Sequence, residues 1–270
     1  MTLLAILVGT VAAGVGSVWL AALLAFAMLA RFTQHMLSLA AGALLATAFM
    51  HLLPEAFNSE AGANELFALL LAGLIFFFLL DKAELWHHGH EHHHGELEAG
   101  AAHDHGHHAH GHRDEHHHGP RAGGWAVLAG DSVHAFGDGI LIASAFVADM
   151  RLGVVATLAV LAHEVPHHMG DLVVLRHTTG SQRAALIKVS LAGTVTALGG
   201  LVGYVLVREL QDYLPYFLVA ASSSFVYVAL ADLIPQLQKR LGPSETAAQI
   251  AWLLVGIGLV TVVSGLAHSH

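Results

Sequence analysis

Apolar residues form eight long runs along this chain, and short polar or charged segments separate most of them. A helix needs roughly 20 predominantly apolar residues to cross the hydrocarbon core of a bilayer. The runs are too long and too continuously apolar to be barrel strands, so each is predicted to be a transmembrane helix. The predicted spans are 3–30, 36–57, 64–86, 123–148, 152–176, 184–207, 214–237 and 247–267.

The composition agrees with this pattern. Of the 270 residues, 55% are hydrophobic and 11% charged, and the mean hydropathy is +0.62. Soluble domains have about 25% charged residues, so the composition excludes that class and predicts an all-α polytopic membrane protein. The first run has no basic segment before it, which favours a retained helix over a signal peptide. Cysteine is absent, so any metal ion must be held by imidazole, carboxylate and water rather than by thiolate.

Basic residues predict the orientation of these helices. If the amino terminus is outside, nine of the eleven lysines and arginines fall at cytoplasmic ends and only Arg151 and Arg208 fall outside. Cytoplasmic loops are enriched in lysine and arginine, so both termini are predicted to face the outside of the cell (inner) membrane. The nine cytoplasmic residues are Arg31, Lys82, Arg113, Arg121, Arg176, Arg183, Lys188, Lys239 and Arg240.

A low-complexity segment, residues 87–122, follows the third span and contains fifteen of the 24 histidines. Such a tract has too few apolar residues for a core, and its many equivalent imidazoles are expected to bind several metal ions weakly. The alternative is a hydrophilic, pH-responsive linker. The predicted organisation is therefore helices 1–3 in 1–86, a cytosolic loop in 87–122, metal-site helices 4 and 5 in 123–176, and helices 6–8 in 177–270.

An internal repeat is visible near the ends of the second and seventh spans. The sequence His51-Leu52-Leu53-Pro54-Glu55 recurs 181 positions later in similar form as Asp232-Leu233-Ile234-Pro235-Gln236. The second span is predicted to run outward and the seventh inward, and opposed copies of one unit are typical of inverted-repeat transporters. Chance similarity between two apolar helices is the alternative.

Ionisable side chains are concentrated in the fourth and fifth spans, where they would lie at similar depth. His134 and Asp138 form one i, i+4 pair, and His163 and His167 form another, so each pair lies on one helix face. Ionisable groups at this depth are costly unless they are paired or metal-bound, which predicts a metal site; a satisfied polar network without an ion is the alternative. Pro166 is predicted to kink the fifth helix beside the ligands. The predicted metal ligands are His134, Asp138, His163, Glu164, His167, Asp171 and Asp131, and the predicted auxiliary residues of the pathway are His51, Glu55, His168 and Asp232.

These segments read HAFGDG at 134–139 and HEVPHHMGD at 163–171. They resemble the ZIP family of zinc and iron transporters, in particular the subgroup with HNF-x-DG and HE-x-PHE-x-GD helices. The resemblance implies eight helices, import toward the cytosol, and an elevator-like movement of helices 1, 4, 5 and 6 against 2, 3, 7 and 8. It also implies that the transport-site ligands are His134, Asp138, His163, Glu164 and His167.

Three departures from the family pattern affect the expected number of ions. Ala135 replaces an asparagine that helps to bridge two ions in some relatives, and His168 replaces a glutamate. The sixth span has neither carboxylate nor histidine over 189–207, where some relatives supply a ligand. We therefore expect one well-held ion and a second position that is weak or vacant.

The predicted function is zinc import, with iron, manganese, cobalt, nickel and cadmium as alternative substrates. We expect divalent metal ions and the lipid bilayer as partners and no nucleic acid; a homodimer is left open. The segment His163-Glu164-Val165-Pro166-His167 also satisfies the H-E-x-x-H pattern of zinc metalloproteases, so an intramembrane protease is one competing hypothesis. A metal-efflux antiporter is the other. Because proline would distort the protease motif and nearby carboxylates would fill the open zinc position, we do not expect an enzyme.

Overall fold

Helices account for the whole regular structure of the described chain. The computed structural model describes residues 1–27, 33–89, 123–238 and 242–266, and no β-strand occurs within these ranges. Eight helices, α1–α8, correspond in order to the eight predicted spans, which confirms the all-α fold. Residues 90–122, nearly all of the predicted loop, lie outside the described residues. The bounds are α1, Thr2–Val11, Ala12–Gly16 and Ser17–Ala27; α2, Thr33–Thr47, Ala48–Leu52 and Leu53–Phe57; α3, Ala63–Gly89; α4, Gly123–Ala148; α5, Met150–Thr179; α6, Gln182–Glu209; α7, Leu214–Tyr227, Val228–Leu233 and Ile234–Leu237; α8, Pro243–Leu266.

Six of these helices are long and apolar enough to cross a membrane, within the part of the chain that the structure describes. The remaining two are α4 and α5, which carry the predicted metal ligands. The chain is thus a multi-pass membrane protein whose polar helices are packed among apolar ones.

The junction between α4 and α5 is shorter than the predicted turn over 149–153. Only Asp149 is extended, and α5 already begins at Met150. The Asp149 carboxylate accepts a hydrogen bond from the backbone N–H of Arg151 at 2.8 Å, as an N-cap residue does. Pro166 lies inside α5, which continues from Met150 to Thr179 as one helix. The tight junction makes α4 and α5 antiparallel neighbours.

Glycine contacts hold α1, α4, α5 and α6 together; we call these four helices the first bundle. A Cβ atom added at Gly139 of α4 would collide with the backbone of Thr196 and Gly200 in α6, and one added at Gly193 of α6 would meet the backbone of Gly14 in α1. Such close backbone approach is available to small residues and is a main source of helix association in membranes. These contacts fix α4 relative to α6 and α6 relative to α1, and α5 packs on α4 at Gly153, where an added Cβ would meet the ring of Phe146.

The second bundle consists of α2, α3, α7 and α8 and is joined in the same way. A Cβ at Gly42 of α2 would meet the backbone of Leu253 in α8, and one at Gly73 of α3 would meet Ser223 in α7. Both helices of the predicted repeat contain a π-helical turn, Ala48–Leu52 in α2 and Val228–Leu233 in α7. Each turn precedes a proline, so the two copies share a conformation as well as a sequence pattern.

The contact between the two bundles is different in character. It is formed largely by α5 against α2, and two apolar cavities of about 230 Å³ each lie along it. Side chains such as Leu39 of α2 and Leu158 of α5 line both cavities. Among the described glycines, none makes a close approach from one bundle to the other. The bundles therefore meet through apolar side chains that leave space between them.

Replacing Gly139 by alanine should destabilise the first bundle, because the new methyl group would overlap the α6 backbone. Overpacking of this kind costs about 1–3 kcal/mol. We expect the midpoint of thermal unfolding in detergent to fall by several degrees. Gly137→Ala is the matched control, since no atom lies within 4 Å of its added Cβ. Equal midpoints for the two variants would contradict the proposed packing.

Candidate metal centre

Four ionisable side chains of α4 and α5 converge at one point, and we call them the quartet. His134 and Asp138 come from one face of α4, where they are four residues apart. His163 and Glu164 come from the facing part of α5. Because α4 and α5 are antiparallel neighbours, the two pairs lie at the same depth and point toward each other.

The spacing of the quartet matches that of ligands around one ion. His163 Nε2 is 3.3 Å from Asp138 Oδ2 and 3.2 Å from Glu164 Oε1. His134 Nε2 is 3.4 Å from Glu164 Oε1, 3.8 Å from Asp138 Oδ2 and 3.3 Å from His163 Nε2. Four donor atoms bound tetrahedrally to zinc at about 2.0–2.1 Å are about 3.3–3.4 Å apart. The quartet therefore has the size of a tetrahedral zinc site.

Hydrogen bonding accounts for the contact between the two imidazoles, His134 Nε2 and His163 Nε2, but not for the contacts with the carboxylates. Asp138 Oδ2 and Glu164 Oε1 are buried and accept no well-aligned hydrogen bond from the described residues. His163 Nδ1 lies 3.3 Å from the carbonyl oxygen of Ala159, which can only accept, so Nδ1 carries the proton. The Nε2 lone pair of His163 then faces the carboxylates. A metal ion bound between these atoms would remove the repulsion between their lone pairs.

Burial strengthens this repulsion. Asp138 and Glu164 are each 2% exposed, and His163 is 1% exposed. His134 is the more open member, with 24% of its side chain exposed. Two carboxylates withdrawn from water are strongly unfavourable unless their charge is balanced. A divalent cation held by two imidazoles and two carboxylates balances it.

Two further ligand groups adjoin the quartet, and both contain Asp131 of α4. The first combines Asp131 and Glu164 with His168, and the second combines Asp131 with His167 and Asp171. Ligand atoms within each group lie within 4.8 Å of one another. Since Asp131 precedes His134 and Asp171 follows His168, these groups lie toward the predicted cytoplasmic end of the two helices.

His167 is close to the quartet but is not part of it. Its ring stacks on that of His134, with centroids 6.0 Å apart, while its Nδ1 lies 3.8 Å from Asp171 Oδ2. Its side chain is 41% exposed, unlike that of His163 one turn earlier. In this structure His167 therefore belongs to the group with Asp131 and Asp171, toward the predicted cytoplasmic end of the helices.

The remaining predicted residues, His51, Glu55 and Asp232, lie outside all three described ligand groups. His51 and Glu55 line a polar cavity of about 480 Å³ at the other end of the helices, and His51 Nδ1 is 3.4 Å from Ser264 Oγ. Asp232 accepts a hydrogen bond from Gln236 at 2.9 Å and is near enough to His167 for their charges to interact. These residues flank the centre on both sides.

Ser17 is a residue at this centre that the sequence did not single out. It is completely buried in α1, and its Oγ lies 3.0 Å from His168 Nδ1. A single serine in an apolar helix has many ordinary explanations. Only its position among glycines, Gly14 and Gly16, hinted at a close helix contact.

Comparison with known proteins assigns the family. A family model described as "ZIP Zinc transporter" matches residues 1–264. The chain belongs to the ZIP zinc transporter family. This confirms the resemblance seen in the HAFGDG and HEVPHHMGD segments. ZIP family members are transporters rather than enzymes, which fits the expectation that this chain is not an enzyme.

Curated relatives of this ZIP family chain are zinc transporters that are longer than it. Human zinc transporter ZIP4 is 35% identical over 136 residues, which cover 50% of this chain and 20% of the relative. The Drosophila melanogaster zinc transporter foi is 32% identical over 143 residues, or 52% of this chain and 20% of the relative. Zinc transporter ZIP13 of Pongo abelii is 26% identical over 249 residues, covering 86% of this chain and 66% of the relative. The chain thus matches about a fifth of the first two.

Proposed function

We propose that this protein imports zinc into the cytosol and that the quartet is its transport site. The observation that supports this most strongly is the convergence of four donor atoms, three of them from buried residues, at about the spacing of ligands around a tetrahedral zinc ion. The named relatives are zinc transporters, which favours the same substrate. Several other divalent ions accept similar nitrogen and oxygen ligands, so their uptake should be compared with that of zinc: iron, manganese, cobalt, nickel and cadmium.

The distribution of basic residues supports the direction and the membrane. Nine of the eleven lysines and arginines fall on the side proposed to be cytosolic, which supports an orientation with both termini outside a cell (inner) membrane. An ion released from the quartet toward that side meets Asp131, then His167 and Asp171. We assign these residues to the release path, and His51 and Glu55, at the opposite end, to the entry side.

The two bundles support an elevator-type mechanism. The first bundle contains the quartet and is held together by glycine contacts, which are backbone-to-backbone between α6 and both α4 and α1. The contact with the second bundle is apolar, contains cavities and has no such glycine contact among the described residues. The first bundle can therefore move as one body along the second, carrying the ion between the two sides of the membrane.

The protease hypothesis is less compatible with the geometry. A catalytic zinc keeps one coordination position for water. Here Asp138 and His134 of α4 join His163 and Glu164, so protein ligands occupy all four tetrahedral positions. Glu164 itself belongs to the ligand set, whereas the glutamate of a protease would act as a base.

The efflux antiporter would reverse the direction of transport without changing the site.

Reconstitution into liposomes tests the transport proposal through Glu164→Gln. We expect wild-type protein to take up zinc with no peptide substrate present and the variant to take it up more slowly. Removing the charged ligand should weaken zinc binding by more than about tenfold. Binding is measured in the loop-Asn chain, the 270-residue chain in which the fifteen histidines of 87–122 are replaced by asparagine, so that loop sites do not contribute.

Glu65→Gln serves as the control for this experiment, because Glu65 lies in α3, where it accepts a hydrogen bond from Tyr216 at 2.8 Å. It should leave zinc affinity unchanged. The proposal would be overturned by undiminished zinc affinity in Glu164→Gln together with cleavage of a membrane peptide by the wild type.

The absence of cysteine permits a direct test of the elevator mechanism. Ala43 of α2 and Val155 of α5 lie in one buried cluster between the bundles. In an Ala43→Cys, Val155→Cys variant, oxidation should stop zinc uptake, and reduction should restore it. The control pair, Val18→Cys with Val189→Cys, lies in a buried cluster within the first bundle and should transport zinc whether oxidised or reduced. Full uptake through the oxidised cross-bundle pair would exclude the movement.

A further inference from the structure

An apolar groove and a polar cavity adjoin each other between the two bundles. The groove consists of the two cavities of about 230 Å³ along α5 and α2, which share Leu39, Leu158 and Ala162 as lining residues. The polar cavity, of about 480 Å³, is the one that His51 and Glu55 line. We propose that the groove binds one acyl chain of a phospholipid whose phosphate and ammonium groups lie in the polar cavity.

Neighbouring residues of α8 and α5 connect the two spaces. On α8, Val263 lines the groove and Ser264, the next residue, lines the polar cavity. On α5, Val155 lines the groove and Leu152, one turn earlier, lines the polar cavity. The groove therefore leads into the polar cavity at the end of the helices where α4 joins α5. An apolar space that ends in a polar one has the shape of a lipid with its chain and its headgroup.

The groove has the size of one acyl chain. Along α8 its lining extends from Trp252 to Val263, a distance of about 16 Å at about 1.5 Å per residue. This is about half of the roughly 30 Å hydrocarbon core of a bilayer, and hence the depth of one leaflet. A water molecule takes up about 30 Å³ in the liquid and a methylene group is of similar size, so the two cavities have room for about 15 methylene groups.

The surroundings of the groove favour a lipid over water. Water needs about two to four polar partners to remain in a cavity. The lining of the groove is apolar apart from His35, whose ring stacks on that of Trp252. Leu158 and Leu259 of the lining are 41% and 51% exposed, so the groove opens on the surface that faces the bilayer. Acyl chains are therefore the molecules with direct access to it.

Charges in the polar cavity match a zwitterionic headgroup. Arg151 lines this cavity together with Glu55 and Asp149. Within the described part of the chain, neither Arg151 nor Glu55 forms an ion pair, so one space holds opposite charges that do not neutralise each other directly. A guanidinium group binds phosphate through two parallel hydrogen bonds, and a primary ammonium group donates hydrogen bonds to carboxylates. Phosphatidylethanolamine carries both groups, whereas the quaternary ammonium of phosphatidylcholine has no N–H to donate.

A lipid bound in this way contacts both bundles. The groove and the polar cavity are each lined by α5 of the first bundle and by α2 and α8 of the second. The lipid fills space that these helices leave between them, so the composition of the membrane can act on their relative position. This consequence rests on the proposed movement of the bundles, whereas binding of the lipid does not.

Native mass spectrometry of the delipidated protein in detergent tests the site, with phosphatidylethanolamine as the probe. We expect one lipid to bind per chain and Arg151→Gln to weaken this binding by about tenfold, because a charge-assisted hydrogen bond to phosphate is lost. Arg208→Gln is the matched control, since Arg208 is the other basic residue predicted at this end and lies over the ring of Tyr204. It should bind the lipid as the parent does. Equal affinities of the parent and Arg151→Gln would overturn the headgroup site, and equal affinities for phosphatidylethanolamine and phosphatidylcholine would exclude the role of the ammonium group.

Tryptophan fluorescence locates the acyl chain. Trp252 lines the groove, whereas Trp19 of α1 is 58% exposed and lines neither the groove nor the polar cavity. Two chains are compared, each keeping one of these tryptophans and carrying phenylalanine in place of the other three. One equivalent of phosphatidylethanolamine with brominated chains should quench Trp252 to saturation and Trp19 only slightly, and Arg151→Gln should remove the quenching of Trp252. Equal quenching of the two tryptophans, or one bound lipid without quenching of Trp252, would exclude the groove as the binding site.

Discussion

Compensation of buried negative charge is the constraint on which this structure depends. Carboxylates of α4 and α5 face one another inside a chain whose other helices are apolar enough to lie in lipid. At close range in such an environment, ionised groups must be paired or bound to a cation. Imidazoles interleaved with the carboxylates supply the additional ligands. The same charges that make these helices unfavourable in lipid make them a good binding site for a divalent metal ion.

The arrangement of the helices follows from the need to keep this site together. Glycines let α6 approach α4 and α1 so closely that their backbones touch, and the short junction at Asp149 joins α4 to α5. A binding site built on such a body keeps its geometry when the body moves. In the proposed mechanism, the looser, apolar contact with α2 lets the first bundle move along the second, as alternating access requires. Rigidity at the site and freedom at the interface thus have separate structural causes.

The sequence predicted the helices, and it predicted candidate ligands that the structure brings together, because helical periodicity is a local property. The four-residue spacing of His134 and Asp138 was sufficient to place both on one face of α4. The direction in which each side chain points depends on tertiary packing, which the sequence pattern does not show. His163 and His167 share a stripe, yet only His163 points into the quartet, because neighbouring carboxylates compete for each ring. Ser17 was missed since its partner lies 151 residues away, and the π-helical turns were missed since proline alone does not predict them.

X-ray absorption at the zinc edge tests the central claim most directly, with the loop-Asn chain loaded with one equivalent of zinc. The account predicts about four ligands at about 2.0 Å, two of them imidazole nitrogens and two of them carboxylate oxygens. In His163→Ala the imidazole signal of the bound ion should fall by half. A zinc ion surrounded by three or more imidazoles, or by six oxygens, would contradict the quartet as the transport site.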